Sequence, residues 1–233
     1  MDELDAGASM PIIKILQKSG AELDETHEDY STKKVEGAKP GDLYFMANQE
    51  LLGDEVEILP LSQKTIYAEW RPKTAGGGLV GHHPLTIVAD DRYRKGDGDK
   101  KYKEYLGENE VRLTIYFFVL FKSGEEWKKG IIPFVSSNLK HGRALAKQIK
   151  SFRYDDLKMK PFIFSRSFAV KTQLCRGHGN SWFEFEILPK KILDLTADKA
   201  LLSQCVEAHG DAVASLPSPE PVAALTDGGE QPF

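Results

Sequence analysis

Cysteine is scarce. The 233 residues hold two, Cys175 and Cys205. Neither has a metal-type partner by spacing, and two cysteines do not make a disulfide scaffold. A reducing, cytoplasmic compartment is the expectation. Long apolar runs are missing too: nothing approaches the ~18 consecutive apolar residues of a membrane span. The opening MDELDAGASM has neither a basic n-region nor an apolar h-region, so no secretory signal is expected. Catalytic signatures are equally absent. There is no G-x-S-x-G, no G-x-x-x-x-G-K-[ST] and no H-E-x-x-H. The glycines of GGGLVGHH fit no dinucleotide fingerprint and open no helix. The acids of DDRYRKGDGD lack the terminal glutamate of a calcium loop. His82, His83 and the Cys175-x₂-His178 step amount to half a zinc site. The expectation is a non-enzymatic protein without cofactor or metal; a metal-dependent nuclease using His82, His83 and His178 is a lesser alternative.

What the chain does have is an uneven charge. Residues 1–60 carry 5 basic and 14 acidic groups, residues 61–172 carry 22 and 12, and residues 173–233 carry 4 and 9. The overall −4 thus conceals a middle of +10 between acidic flanks. That is the pattern of a polyanion binder with self-screening arms.

Residues 1–10 read as disordered, and PIIKILQKSG as a short helix or an edge strand. Residues 21–42 read as a loop marked by Gly37, Pro40 and Gly41. Leu43–Met46 and Val56–Trp70 read as strands, the second interrupted at Pro60. Leu85–Ala89 reads as a short strand, and the charged segment after it as a long loop. Val111–Lys122 is the clearest strand. Val111, Leu113, Ile115, Phe117, Val119 and Phe121 alternate onto a core face, and Arg112, Thr114, Tyr116, Phe118, Leu120 and Lys122 onto the other. SGEE turns the chain into Trp127–Val135, a hairpin. Leu139, Leu145, Ile149 and Phe152 then mark a helix whose remaining surface is basic: Lys140, His141, Arg143, Lys147 and Lys150. Gly142 weakens it slightly. In Pro161–Leu174, Phe162, Phe164, Phe168 and Val170 fall on one face. In Ser181–Leu188, Phe183, Phe185 and Ile187 point inward and Trp182, Glu184 and Glu186 outward. A helix over Thr196–Gly210 ends the ordered part, with an Ala/Pro/Ser/Gly tail beyond.

Strands, a hairpin, one helix and two more strands are the chain order of an OB-fold, a five-stranded Greek-key barrel that commonly binds single strands. The expected fold is therefore a β-rich α+β protein: an OB-like five-stranded barrel with one inserted helix, extra N-terminal strands and a disordered C-terminal tail. The domain reading is 1–10 disordered, 11–210 one nucleic-acid-binding domain, and 211–233 a docking tail.

Binding an unpaired strand needs a cationic track and exposed rings on which bases stack. Both interleave here: Tyr67, Trp70, Arg71 and Lys73; Arg92, Tyr93, Arg94 and Lys95; Lys100, Lys101, Tyr102 and Lys103; Arg112, Tyr116, Phe118 and Lys122; Trp127, Lys128 and Lys129; and Lys171. Aromatics inside RYRK and KKYK are poor core candidates. Single-stranded DNA is the expected partner.

The chain ends TDGGEQPF. A flexible tail with Asp227 and Glu230 ahead of Pro232 and Phe233 resembles the C-terminal tip of single-stranded DNA-binding proteins. In overall plan the chain is most similar to the phage replication and recombination type. The resemblance implies a tail that docks replication proteins (polymerase, helicase or primase) and leaves self-association open; no membrane partner is implied. A ring in an apolar pocket and a carboxylate on a basic group suit such capture. The competing expectation is a β-rich phage structural or virion-associated protein.

Overall fold

The computed structural model describes residues 11–153, 161–177 and 179–214. Chain order is β1 (Ile13–Ile15), α1 (Tyr30–Lys33), β2 (Leu43–Phe45), β3 (Glu50–Gly53), β4 (Glu55–Trp70), β5 (Leu79–His83), β6 (Tyr93–Lys95), β7 (Glu104–Leu106), β8 (Asn109–Ser123), β9 (Glu126–Val135), α2 (Leu139–Ser151), β10 (Arg166–Gly177), β11 (Asn180–Ile192) and α3 (Lys199–Ala214). Strands β1, β2 and β3 form a small antiparallel sheet. The large sheet runs β11-β10-β4-β8-β7-β6, with β5 added to β4 and β9 to β8. The segment read from sequence as one domain is described in two compact units, 11–65 with Leu113 onward, and Ile66–Arg112.

The first unit is built on alternation. Ile115, Phe117, Val119 and Phe121 of β8 lie in one core with Val56 and Ile58 of β4, Ile132 and Phe134 of β9 and Phe168 and Val170 of β10. Ile13, Phe45 and Leu145 join it from β1, β2 and α2. The opposite face is not open. Leu120 of β8 is buried with Leu59, Leu61, Phe164, Leu193 and Cys205, Ala208 and Ala212 of α3, and Phe118 and Trp127 pack against this second core. Covering both faces is a layered solution. No sheet among the described residues closes into a barrel, which corrects the five-stranded OB-like expectation while keeping the β-rich, antiparallel class. Element order alone does not specify closure.

Several boundaries differ for physical reasons. Strand β4 passes through Pro60 without a break. Its pairing to β10 ends at Ile58 and its pairing to β5 starts at Tyr67, so neither of these two strands needs the N–H that Pro60 lacks. Leu85–Ala89 is a 3-10 turn, not a strand. Ile87 N–H donates to Pro84 O and Asp90 N–H to Ile87 O, and only Ile87 is buried, leaving Leu85 and Val88 exposed. The expected charged loop contains the β6–β7 hairpin. A polar contact crosses it, Tyr93 Oη donating to Glu104 at 2.8 Å, and Lys103 Nζ just before β7 meets Glu110 of β8 at 2.9 Å, so no apolar period marks it. Phe162 and Phe164 precede β10 as a stacked pair with centroids 5.2 Å apart. Phe164 enters the second core, away from Phe168 and Val170. Ser165 and Ser167 are buried. Helix α3 continues past Gly210 to Ala214, so 211–214 is helical rather than tail. The expected termini, 1–10 and 215–233, lie outside the described residues.

Candidate functional site

Most cations chosen from the sequence are already engaged. In the second unit Arg92 grips Asp90 with Nε at 3.0 Å and Nη2 at 2.8 Å. Lys103 and Arg112 share Glu110 at 2.9 and 2.7 Å. The Arg94 guanidinium lies 4.6 Å from the Tyr105 ring centroid. Tyr67 is buried, edge-on to the Tyr93 ring at 6.4 Å, and burial raises the pKa of both hydroxyls. In the first unit Lys128 Nζ meets Glu50 at 2.8 Å, Lys129 meets Asp211 at 2.6 Å and Lys171 meets Glu55 at 2.8 Å. Phe118 and Trp127 pack on the second core. Tyr116 is half-buried, its hydroxyl pKa raised by burial.

A smaller set stays open. Arg71, Lys95, Lys100, Lys101 and Lys122 are exposed, and no ion pair among the described residues ties them. Tyr102 is 77% exposed beside Lys100 and Lys101, and Trp70 is 36% exposed at the end of β4. The Lys73 side chain, His178 and the tail residues Asp227, Glu230, Pro232 and Phe233 lie outside the description. The residues named from sequence are thus distributed over two units: Tyr67 to Arg112 in the second, Tyr116 to Lys171 in the first.

Helix α2 carries a basic surface outside the residues expected to bind the strand. An open groove of about 590 Å³ in the first unit is lined by Arg143, Lys147 and Lys150 of α2, by Ala146 and Ser151, and by Gln63, Thr65, Leu113 and Ile115 of β4 and β8. The three cations are exposed. None has a carboxylate partner among the described residues, and α2 itself contains no acid. The stripe is visible in the sequence as an i, i+4, i+7 spacing on one helix face. A wider groove of about 970 Å³ runs past Lys18, Asp24, Glu25 and Trp182, where two acids offset the lysine.

Helix α2 is held firmly. Gly142 is buried, and a Cβ there would come 2.8 Å from Phe134 Cβ and Cγ. Leu145 enters the core. At the N-terminal end Glu184 of β11, 1% exposed, receives Lys140 Nζ at 2.7 Å and His141 Nε2 at 3.2 Å, and Trp182 Nε1 at 2.8 Å. Burial pushes its carboxyl up, and the donors from Lys140, Trp182 and His141 outweigh that and bring it to about 2. The expected outward Glu184 is therefore an internal anchor. Asn138 Oδ1 accepts from the Phe185 N–H at 2.9 Å.

The histidines considered for metal chemistry are placed differently. His83 Nε2 and Glu69 Oε2 lie 2.6 Å apart, and Asn109 Nδ2 donates to Glu69 Oε1 at 2.6 Å. This satisfies a buried carboxylate between β4, β5 and β8. No group of three His, Cys, Asp or Glu among the described residues is placed to hold a metal ion. No helix among them is long and apolar enough to cross a membrane.

No curated protein and no solved structure matches the chain. A family model described as Pam3 phage gp34-like protein matches residues 4–209. With nearly the whole described chain inside that match, this protein belongs to the Pam3 phage gp34-like family.

Proposed function

We propose that this phage-family protein binds single-stranded DNA without catalysing a reaction, coats transient single strands during replication or recombination, and recruits replication enzymes through its C-terminal tail. The observation that carries the reading is the stripe of Arg143, Lys147 and Lys150, exposed and without a carboxylate partner among the described residues, beside an open groove. Three exposed cations in a row, with no carboxylate partner among the described residues, suit an external anion. Exposed Tyr102, flanked by Lys100 and Lys101, supplies a ring on which a base can stack, in keeping with the mixed electrostatic and stacking chemistry of single-strand binders. Fluorescence anisotropy with labelled oligo-dT tests it: saturable binding at low salt is expected, and no binding there removes the proposal.

A second reading, a β-rich phage structural protein, is favoured by one observation. Leu79, Val80, Leu85 and Val88 of the second unit are each 40–50% exposed, a density of apolar side chains suited to subunit contacts. Light scattering coupled to size-exclusion chromatography separates the two. Stable assembly without nucleic acid, together with no affinity for oligo-dT, selects the structural role.

A further inference from the structure

The stripe on α2 has a geometry as well as a charge. Arg143, Lys147 and Lys150 follow one another at four and three residues. At about 1.5 Å of rise per residue their Cα atoms are spaced roughly 6 and 4.5 Å along the axis, a straight row of about 10 Å. Neighbouring phosphates of one strand advance about 3.4 Å along a stacked duplex and further when the strand is unstacked and extended, so successive cations match successive phosphates of an extended strand. Across the groove stand Leu113, Ile115, Gln63 and Thr65. No aromatic side chain among the described residues lines it, so their part of it offers charge and sugar contacts and no stacking platform.

Resting on the single-strand reading above, we infer that α2 is a phosphate rail. Arg143, Lys147 and Lys150 each neutralise one phosphate of an extended single strand lying in the groove, and the bases are left unread. The rail is preorganised because the other side of α2 is fixed by Gly142 against Phe134, by Leu145 in the core and by the Glu184 anchor at its start. Lys140, the α2 lysine bound to Glu184, is not part of it. A rail of this kind contributes affinity that is indifferent to base identity and steeply dependent on salt.

The salt dependence supplies the count. For single strands the slope of log K against log salt changes by about 0.7 per phosphate neutralised. Three contacts therefore account for a slope of about 2, and between 50 and 200 mM salt for about a 20-fold loss of affinity. The experiment titrates labelled oligo-dT and oligo-dA with the full chain at several salt concentrations. The partners are the Arg143→Gln/Lys147→Gln/Lys150→Gln triple variant and the charge-preserving Arg143→Lys/Lys147→Arg/Lys150→Arg variant, each checked by circular dichroism for an unchanged fold. The expected result is a slope shallower by about 2 in the Gln variant, equal for both oligonucleotides, and the original slope in the charge-preserving one. The single variants, Arg143→Gln and Lys147→Gln, should each lose about 0.7, which keeps the count testable if the triple variant folds poorly. Tight wild-type binding with an unchanged slope in the Gln variants overturns the rail and leaves the single-strand reading standing. Absence of wild-type binding overturns both.

Discussion

Replacing Glu184 by Gln is expected to destabilise the protein in a pH-dependent manner that no surface substitution would reproduce. The carboxylate is 1% exposed and accepts from Lys140, His141 and Trp182, and its pKa is lowered from 4.5 to about 2. A carboxylate with a depressed folded-state pKa adds stability that is complete above the unfolded-state value and disappears as the pH falls through the folded one. The interval from 4.5 to about 2, at about 1.4 kcal/mol per pH unit, caps the contribution at about 3 kcal/mol. Lys140 is 64% exposed, so water screens its share and about 2 kcal/mol is the working figure. Gln keeps the size and one acceptor but not the charge. Urea unfolding followed by tryptophan fluorescence should show wild type ahead by about 2 kcal/mol at pH 7, with the gap under half of that by about pH 3. Other acids titrate in both proteins and cancel in the difference. A gap that stays constant down to pH 3, or no gap at pH 7, would refute the assignment of Glu184 as the charged anchor of α2.

Gly142→Ala should cost stability although alanine is the better helix former by about 1 kcal/mol. The added Cβ meets Phe134 at 2.8 Å, and overpacking of this kind costs about 1–3 kcal/mol, so thermal unfolding should shift downward; an upward shift would mean that α2 does not lie this close to β9. Tyr102→Ala should leave stability within about 0.5 kcal/mol, as for an exposed side chain, and weaken oligo-dT binding by about 1–3 kcal/mol if the ring stacks on a base. Deleting Gln231–Phe233 should leave oligo-dT affinity unchanged or raised while abolishing pull-down of a replication polymerase or helicase; loss of DNA binding instead would contradict a docking role for the tail.

Local patterns were legible in the sequence where one residue's neighbours decide its place. The odd positions of β8 went to the core as period-2 alternation requires, because Phe117, Val119 and Phe121 need only an apolar layer beneath them. Not all the even positions went to solvent: Leu120, with Phe118 packed beside it, joins a second core shared with α3, more than 75 residues later in the chain, and no alternation in β8 announces a second layer. The β6–β7 hairpin was hidden because the side-chain contact across it, Tyr93 to Glu104, is polar and its other strand residues carry no apolar alternation. The site was harder still. Lys128, Lys129 and Lys171 look identical in sequence to Lys147 and Lys150. What separates them is Glu50, Asp211 and Glu55, acids distant in sequence that folding brings within 3 Å. The acidic flanks of the chain are therefore partly spent on the basic middle, and the residual positive surface is the part they leave uncovered.

The central claim, preference for unpaired strands, is tested most directly by melting a short AT-rich DNA duplex in the presence of the protein, at a duplex melting temperature below that of the protein. A ligand of the separated strands pulls the equilibrium toward them. The account predicts that the duplex melting temperature falls as protein is added, and falls less as salt rises. A melting temperature that rises, or does not move at protein concentrations saturating for oligo-dT, would contradict it.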